Sequence, residues 1–237
     1  MTFSDLTVFS LGVGMQFVKK EKTSMFEAIC KMLVGKCPRL KKLCVSFDGL
    51  HSEEWIDFSQ FWDGNWPQLE KLTVEFDGPI KVLNEGEDLS TKLTNFFRRM
   101  PKLECLHLGL EHVPNISSQE ILPALTSLVF PERLSPSLFV SRKMARQLQY
   151  FGALELGEVE SGKFPFRLFQ HMTSLRYIAI ICPKEKHLIP LWESAPQLER
   201  INFLFLDNDD NTLDPTVCNN LFIPYNLSLI YHYCHYT

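Results

Sequence analysis

Cys105 and His107 stand two residues apart in the run Pro101-Lys102-Leu103-Glu104-Cys105-Leu106-His107-Leu108. On a strand, that spacing puts thiol and imidazole on one face. A thiol beside an imidazole is the beginning of nucleophilic chemistry, because the imidazole can draw off the proton and leave a thiolate. Strand neighbours two apart are separated by roughly 6–7 Å, beyond hydrogen-bond reach, and no acid partner for the imidazole is evident from the sequence. His232-Tyr233-Cys234-His235 gathers metal-capable side chains at one terminus, without the second ligand pair that a closed zinc site needs. Asp207, Asp209 and Asn211 open like a calcium loop, yet Thr212 occupies the glycine position and Cys218 the position of the bidentate glutamate. Gly12-Val13-Gly14 lacks the third glycine of a dinucleotide-binding turn. No catalytic residue, metal or cofactor is expected, and the chain is expected not to be an enzyme.

The run that holds Cys105 and His107 is itself the dominant feature, because the chain repeats it. Pro38-Arg39-Leu40-Lys41-Lys42-Leu43-Cys44-Val45, Pro67-Gln68-Leu69-Glu70-Lys71-Leu72-Thr73-Val74 and Pro123-Ala124-Leu125-Thr126-Ser127-Leu128-Val129-Phe130 carry the same pattern, L-x-x-L-x-L with an apolar residue at each L. Thr173-Ser174-Leu175-Arg176-Tyr177-Ile178-Ala179-Ile180 and Pro196-Gln197-Leu198-Glu199-Arg200-Ile201-Asn202-Phe203 follow it too. Looser copies are Leu6-x-x-Phe9-x-Leu11, Phe151-x-x-Leu154-x-Leu156 and Pro224-x-x-Leu227-x-Leu229. The leading positions 6, 40, 69, 103, 125, 151, 175, 198 and 224 are separated by steps of 34, 29, 34, 22, 26, 24, 23 and 26 residues.

Self-similarity at about 20–30 residues with this pattern marks stacked leucine-rich repeats. The L-x-L portion is a short strand with one face turned inward. No repeat can bury its apolar face alone, so neighbours stack into a continuous core. Between strands the residues turn to helical spacing. Met25, Phe26, Ile29, Met32 and Leu33 form one apolar stripe, with Ser24 and Glu27 as a capping box; Leu89, Leu93, Phe96, Phe97 and Met100 form another on a helix expected over 90–99. Further helices are expected near 118–122, 135–148, 165–172 and 185–194. Each proline ahead of a leading leucine ends the preceding helix. Trp55, Trp62 and Trp66 read as core and loop plugs. The expected fold is an α/β leucine-rich-repeat solenoid, a horseshoe of about eight or nine irregular repeats. It has parallel strands on the concave face and helices on the convex face, in one domain spanning residues 1–237.

Charge and cysteine usage narrow the function classes. The net charge of −4 gives no overall pull toward nucleic acid or an anionic membrane. Residues 1–50 carry eight Lys/Arg against four Asp/Glu, and residues 51–120 carry six against thirteen. Seven scattered cysteines fit small buried residues better than an extracellular disulfide framework. Neither a signal peptide nor a membrane-spanning run is read in the sequence, so a cytoplasmic or nuclear place is expected.

The motifs resemble the leucine-rich repeats of the ribonuclease-inhibitor-like class, and in particular the C-terminal repeats of F-box proteins. The resemblance covers nearly the whole chain and rests on P-x-L-x-x-L-x-L after a helix, with repeats of variable length. It implies a non-catalytic receptor that holds a protein substrate for a cullin-type ubiquitin ligase, with ligase subunits among its partners. No F-box sequence is read ahead of the array: either Met1–Asp5 serves as an improvised cap, or this chain is the C-terminal part of a longer architecture. The asparagine or cysteine that usually follows the strand is also mostly missing, with Phe47, Phe76 and Leu110 in its neighbourhood.

Residues between the inward leucines face outward on such a sheet. Among them Lys42, Lys71, Glu75, His107, Glu155, Tyr177, Arg200 and Asn202 are the candidate partner-binding residues. Tyr177 and Arg200 lead, since aromatic and arginine side chains dominate interface energies. The expected partner is a protein, with the chain a monomer outside its complexes. The alternative is a nucleic-acid-associated repeat protein that uses the basic patch of Lys19, Lys20, Lys22, Lys36, Arg39, Lys41 and Lys42.

Overall fold

A computed structural model describes residues 5–13, 28–34, 36–47, 56–57, 59–76, 80–81, 88–109, 121–129, 141–155, 169–181, 193–206 and 228–234. The chain is α/β and forms two compact units, Met1–Leu125 and Thr126–Thr237. Among the described residues no helix is long and apolar enough to cross a membrane.

In the first unit, strands β1 (Val8–Val13), β2 (Lys42–Phe47), β4 (Lys71–Phe76) and β6 (Cys105–Gly109) pair in that order, all parallel. Phe9, Leu43, Leu72 and Leu106 lie in one cross-strand row, and Leu11, Val45, Val74 and Leu108 in another. Leu43, Val45, Leu72, Val74, Leu106 and Leu108 are all buried. The L-x-L alternation thus delivers every second side chain to the core. A two-stranded pair, β3 (Ile56–Asp57) and β5 (Ile80–Lys81), is also parallel.

In the second unit β7 (Ser127–Val129), β8 (Tyr150–Glu155), β9 (Tyr177–Ile181), β10 (Arg200–Leu206) and β11 (Ser228–Cys234) pair in order, again parallel. Leu128, Phe151, Ile178 and Ile201 form its first inward row and are buried.

One turn recurs ahead of the strands. The amide of each leading leucine donates to the carbonyl three residues back: Leu40 to Cys37, Leu69 to Trp66, Leu103 to Met100, Leu125 to Leu122, Leu175 to Met172 and Leu198 to Ala195. Five of these turns carry proline at their second position, where its fixed φ suits a turn. Proline therefore does more than end a helix, because it opens the turn that aims the strand. The residue before it is buried each time, and the turn is closed by two apolar anchors.

Each turn is also tied to the next. A single carbonyl accepts from two successive amides of the following repeat: Thr7 from Lys41 and Lys42, Lys41 from Glu70 and Lys71, Glu70 from Glu104 and Cys105. The second unit does the same with Thr126, Gln149 and Arg176 as acceptors. These bonds set the register independently of the apolar pattern.

Two leading positions differ from expectation. Gln149 and Tyr150 donate together to Thr126, so the leading residue of that repeat is buried Leu148, not Phe151. Phe151 is instead the first inward residue of β8, opposite Ile178. The steps around it become 23 and 27 residues in place of 26 and 24. A bulge explains the confusion: Phe151 pairs with Ile178 and Leu154 with Ile180, leaving one extra residue on β8. In β11, Leu229 pairs with Ile201 and Tyr231 with Phe203. The middle inward position is thus Leu229, and Leu227 lies outside the described residues.

Helix α1 (Leu89–Arg98) starts one residue before the expected 90, and Asp88 caps it by accepting from the Ser90 and Thr91 amides. It buries Leu93, Phe96, Phe97 and, just beyond its end, Met100. Phe96 meets Trp62 edge to face at 5.0 Å and Trp66 at 6.0 Å. Trp66 Nε1 donates to the Leu33 carbonyl at 3.2 Å in the helical segment 28–34. The two described tryptophans of the cluster are therefore core plugs, while Trp55 lies outside the described residues. Arg99, at the C-cap of α1, reaches across to the neighbouring turn. Its guanidinium donates to the carbonyls of Asn95, Asp63 and Trp62, closing the end of the 3-10 turn Phe61–Asp63. Helix α2 (Arg142–Gln147) is capped by Ser141 and buries Met144 and Ala145. The helix expected over 135–148 is thus shorter, starting at Arg142 because Ser141 is extended and ending before an extended Leu148. The expected Ser24–Glu27 cap and most of the helices near 118–122, 165–172 and 185–194 lie outside the described residues.

Candidate functional site

The outward positions of β4 and β6 bring a histidine to a carboxylate. Thr73 stands opposite His107 and Glu75 opposite Gly109, so His107 and Glu75 are diagonal neighbours. His107 Nδ1 lies 3.0 Å from Glu75 Oε1. Gly109 makes this approach possible: a Cβ there would sit 3.1 Å from the Glu75 Cα and 3.3 Å from its Cγ. Burial lowers the imidazole pKa below its ordinary 6.5, and Lys71 adds to the push; the Glu75 carboxylate opposes both without prevailing. The ring is therefore neutral at pH 7, with Nδ1–H donating to Glu75 and Nε2 left as an acceptor. The acid partner that the sequence did not reveal for His107 is thus Glu75, 32 residues away in the chain.

Around this pair charges are interleaved. Lys42 and Lys71, both exposed, face each other across β2 and β4. Lys41 Nζ donates to Glu70 Oε1 at 2.9 Å, which raises the lysine pKa and lowers that of the glutamate. Arg39 pairs with Asp5 at 3.1 Å. Two members of the basic patch are thus held by carboxylates, and Lys19, Lys20 and Lys22 lie outside the described residues. Thr73, expected on the solvated row, is buried because it sits between Cys44 and His107 on an inner strand. Ala179 is buried for the same reason, between neighbouring strands and opposite Asn202.

The second unit presents a different outward row. Tyr150, Tyr177 and Arg200 stand side by side at the starts of β8, β9 and β10. The Arg200 guanidinium lies 5.5 Å from the Tyr177 ring centroid, a cation–π contact. Tyr177 Oη reaches Glu199 Oε2 at 3.5 Å, and Glu199 also pairs with Arg176 at 3.4 Å. Arg176 is further fixed by donating to the Gln197 carbonyl. The Arg200 side chain has no hydrogen bond or ion pair among the described residues. Tyr150 leans over Gly152, where a Cβ would lie 2.7 Å from its ring. Burial there raises the phenol pKa and keeps it protonated. Asn202, two residues along the same face of β10, has an Oδ1 that is shielded from solvent and lacks a hydrogen-bond partner among the described residues.

The eight candidate residues therefore fall into two groups. Lys42, Lys71, Glu75 and His107 share the outward row of the first unit. Tyr177, Arg200 and Asn202 share that of the second, and Glu155 is placed by backbone register alone, opposite Ile181. Tyr150 was missed, because the bulge put the repeat boundary inside its strand. Its place beside Tyr177 was legible only from the turn bonds of Gln149 and Tyr150.

Among the described residues no group of three or more His, Cys, Asp or Glu side chains is arranged to hold a metal. Cys30, Cys37, Cys44 and Cys105 form no disulfide, and burial raises the pKa of Cys37. Asp207–Asn211 lie outside the described residues, as does His235, while His232 and Cys234 are placed only by the backbone of β11. Compared with models of protein families and with curated protein sequences, the chain matches none.

Proposed function

We propose that this chain is a non-catalytic protein–protein interaction module: a leucine-rich-repeat solenoid that binds a protein partner on the outward face of its parallel strands. The observation that carries the reading is the Tyr177–Arg200 pair. Core positions are filled by leucine, isoleucine and phenylalanine, and the register is set by backbone bonds. An aromatic ring stacked under an exposed guanidinium adds nothing that this scaffold requires. It is the side-chain pairing that dominates interface energies. The receptor role in a cullin-type ubiquitin ligase rests on the resemblance of the repeats and is part of the same proposal, as is a cytoplasmic or nuclear place. Reading all the repeats as one array, 1–237, belongs to it too. The basic-patch alternative gains no support, since Arg39 and Lys41 are already paired with acids.

The test is affinity capture from lysate with the native chain and a Tyr177→Ala, Arg200→Glu double variant, after matching their unfolding midpoints. A defined protein captured by the native chain and lost by the folded variant is the expected result. Equal capture by both contradicts the proposal. Steep loss of binding with salt and recovery of nucleic acid would favour the alternative.

A further inference from the structure

The uncommitted donors of Arg200 and the orphaned acceptor of Asn202 are two halves of one recognition pattern, and the geometry points to an extended acidic peptide as the ligand of this row. The inference rests on the interaction reading above and adds the chemical class of what is bound. Arg200 is exposed, and its guanidinium carbon lies over the Tyr177 ring, 5.5 Å from the centroid. A guanidinium kept at that place offers its fork for bidentate contact with a carboxylate. The nearest acid cannot serve, because Glu199 is taken by Arg176 and by the Tyr177 hydroxyl. Arg176, in turn, is occupied by Glu199 and the Gln197 carbonyl, so that of these two arginines Arg200 is the one without an acid partner among the described residues.

Asn202 supplies the second half. A shielded amide oxygen without a donor is costly to keep, and a peptide N–H is the donor that an extended ligand brings. Residues 200 and 202 are two apart on β10, so their side chains leave the same face with the spacing of alternate residues in a strand. An extended peptide lying on that face sets a carboxylate side chain on Arg200 and, as the Asn202 amide turns toward it, presents a backbone N–H to the orphaned Oδ1. Its apolar neighbour rests on the Tyr150–Tyr177 rings.

The experiment uses the full chain and fluorescein-labelled peptide pools of the form Gly-X-X-Z-X-X-Gly. X is degenerate over Ala, Ser, Val and Tyr, and Z is Glu, Gln or phosphoserine. Fluorescence anisotropy gives the affinity of each pool. The Glu pool is expected to bind about tenfold more tightly than the Gln pool, the scale of one charge-assisted bidentate contact. That preference should vanish in Arg200→Gln and shrink in Arg200→Lys, which keeps the charge and loses the fork. Asn202→Ala should weaken all pools by a similar factor and leave the Glu preference intact. Equal binding of Glu and Gln pools overturns the inference, as does a Glu preference that survives Arg200→Gln. A phosphoserine pool favoured tenfold over the Glu pool overturns the carboxylate assignment. If the captured protein is lost by the double variant while the pools show no Glu preference, the surface stands and only the acidic class fails.

Discussion

The two units carry the same backbone turn and the same inward rows, yet their outward rows treat charge in opposite ways. In the first unit a neutral His107 donates to Glu75, and just ahead of the strands Glu70 pairs with Lys41 and Asp5 with Arg39. In the second, Arg176 and Glu199 satisfy each other and leave Arg200 stacked on Tyr177 with its donors open. The lesson is that outward residue type alone does not mark a binding surface. Lys42, Lys71 and Arg200 all read as outward cations in the sequence. Only the neighbours separate them: Lys42 and Lys71 face each other, whereas Arg200 lies over an aromatic ring.

The comparison can be broken first at the shared core. Leu106→Ala in the first unit and Leu128→Ala in the second each remove a fully buried row member, and each should cost about 2–5 kcal/mol in denaturant unfolding. A negligible cost in either unit would show that the inward rows are not equivalent. The glycines sharpen the contrast. Gly109→Ala drives a Cβ toward the Glu75 backbone at 3.1 Å, so the strands themselves must yield, at about 1–3 kcal/mol. The atoms nearest a Gly152→Ala Cβ belong to the Tyr150 side chain, which can rotate. The substitution should cost less stability than Gly109→Ala and instead weaken partner capture.

The acid side separates the units next. The folded pKa of His107 lies below its unfolded value near 6.5, so between the two the unfolded chain binds the extra proton. The neutral ring contributes fully above pH 6.5, and stability is lost as pH falls below 6.5 toward the folded pKa. His107→Gln should flatten that acid-side loss in urea unfolding measured from pH 7 to 5, whereas Tyr177→Phe should leave it unchanged. The smallest effect is expected at Lys41. Lys41→Met removes an exposed ion pair and should leave the unfolding midpoint within error.

Much of the fold was legible because each repeat must hide its own apolar face. Leu40, Leu69 and Leu103 could be read with their strands from spacing alone. The β8 repeat was misread for a physical reason. One bulged residue stretched the inward spacing from two to three, and Phe151-x-x-Leu154 then imitated the spacing of a leading leucine to its strand. The His107–Glu75 contact was illegible because a diagonal pair depends on cross-strand register, which the turn carbonyls set and no local pattern encodes. Arg200 and Tyr177 were legible as candidates. That Arg200 is uncommitted, and that Tyr150 extends its shelf, required the neighbouring strands.

The most direct test of the contrast is site-specific photo-crosslinking of the captured protein. A benzophenone amino acid replaces Tyr177 in one sample and Lys71 in another. The account predicts a strong crosslinked band from position 177 and little from position 71. A band of equal strength from 71, or none from 177 in a folded chain that still captures its partner, would contradict it.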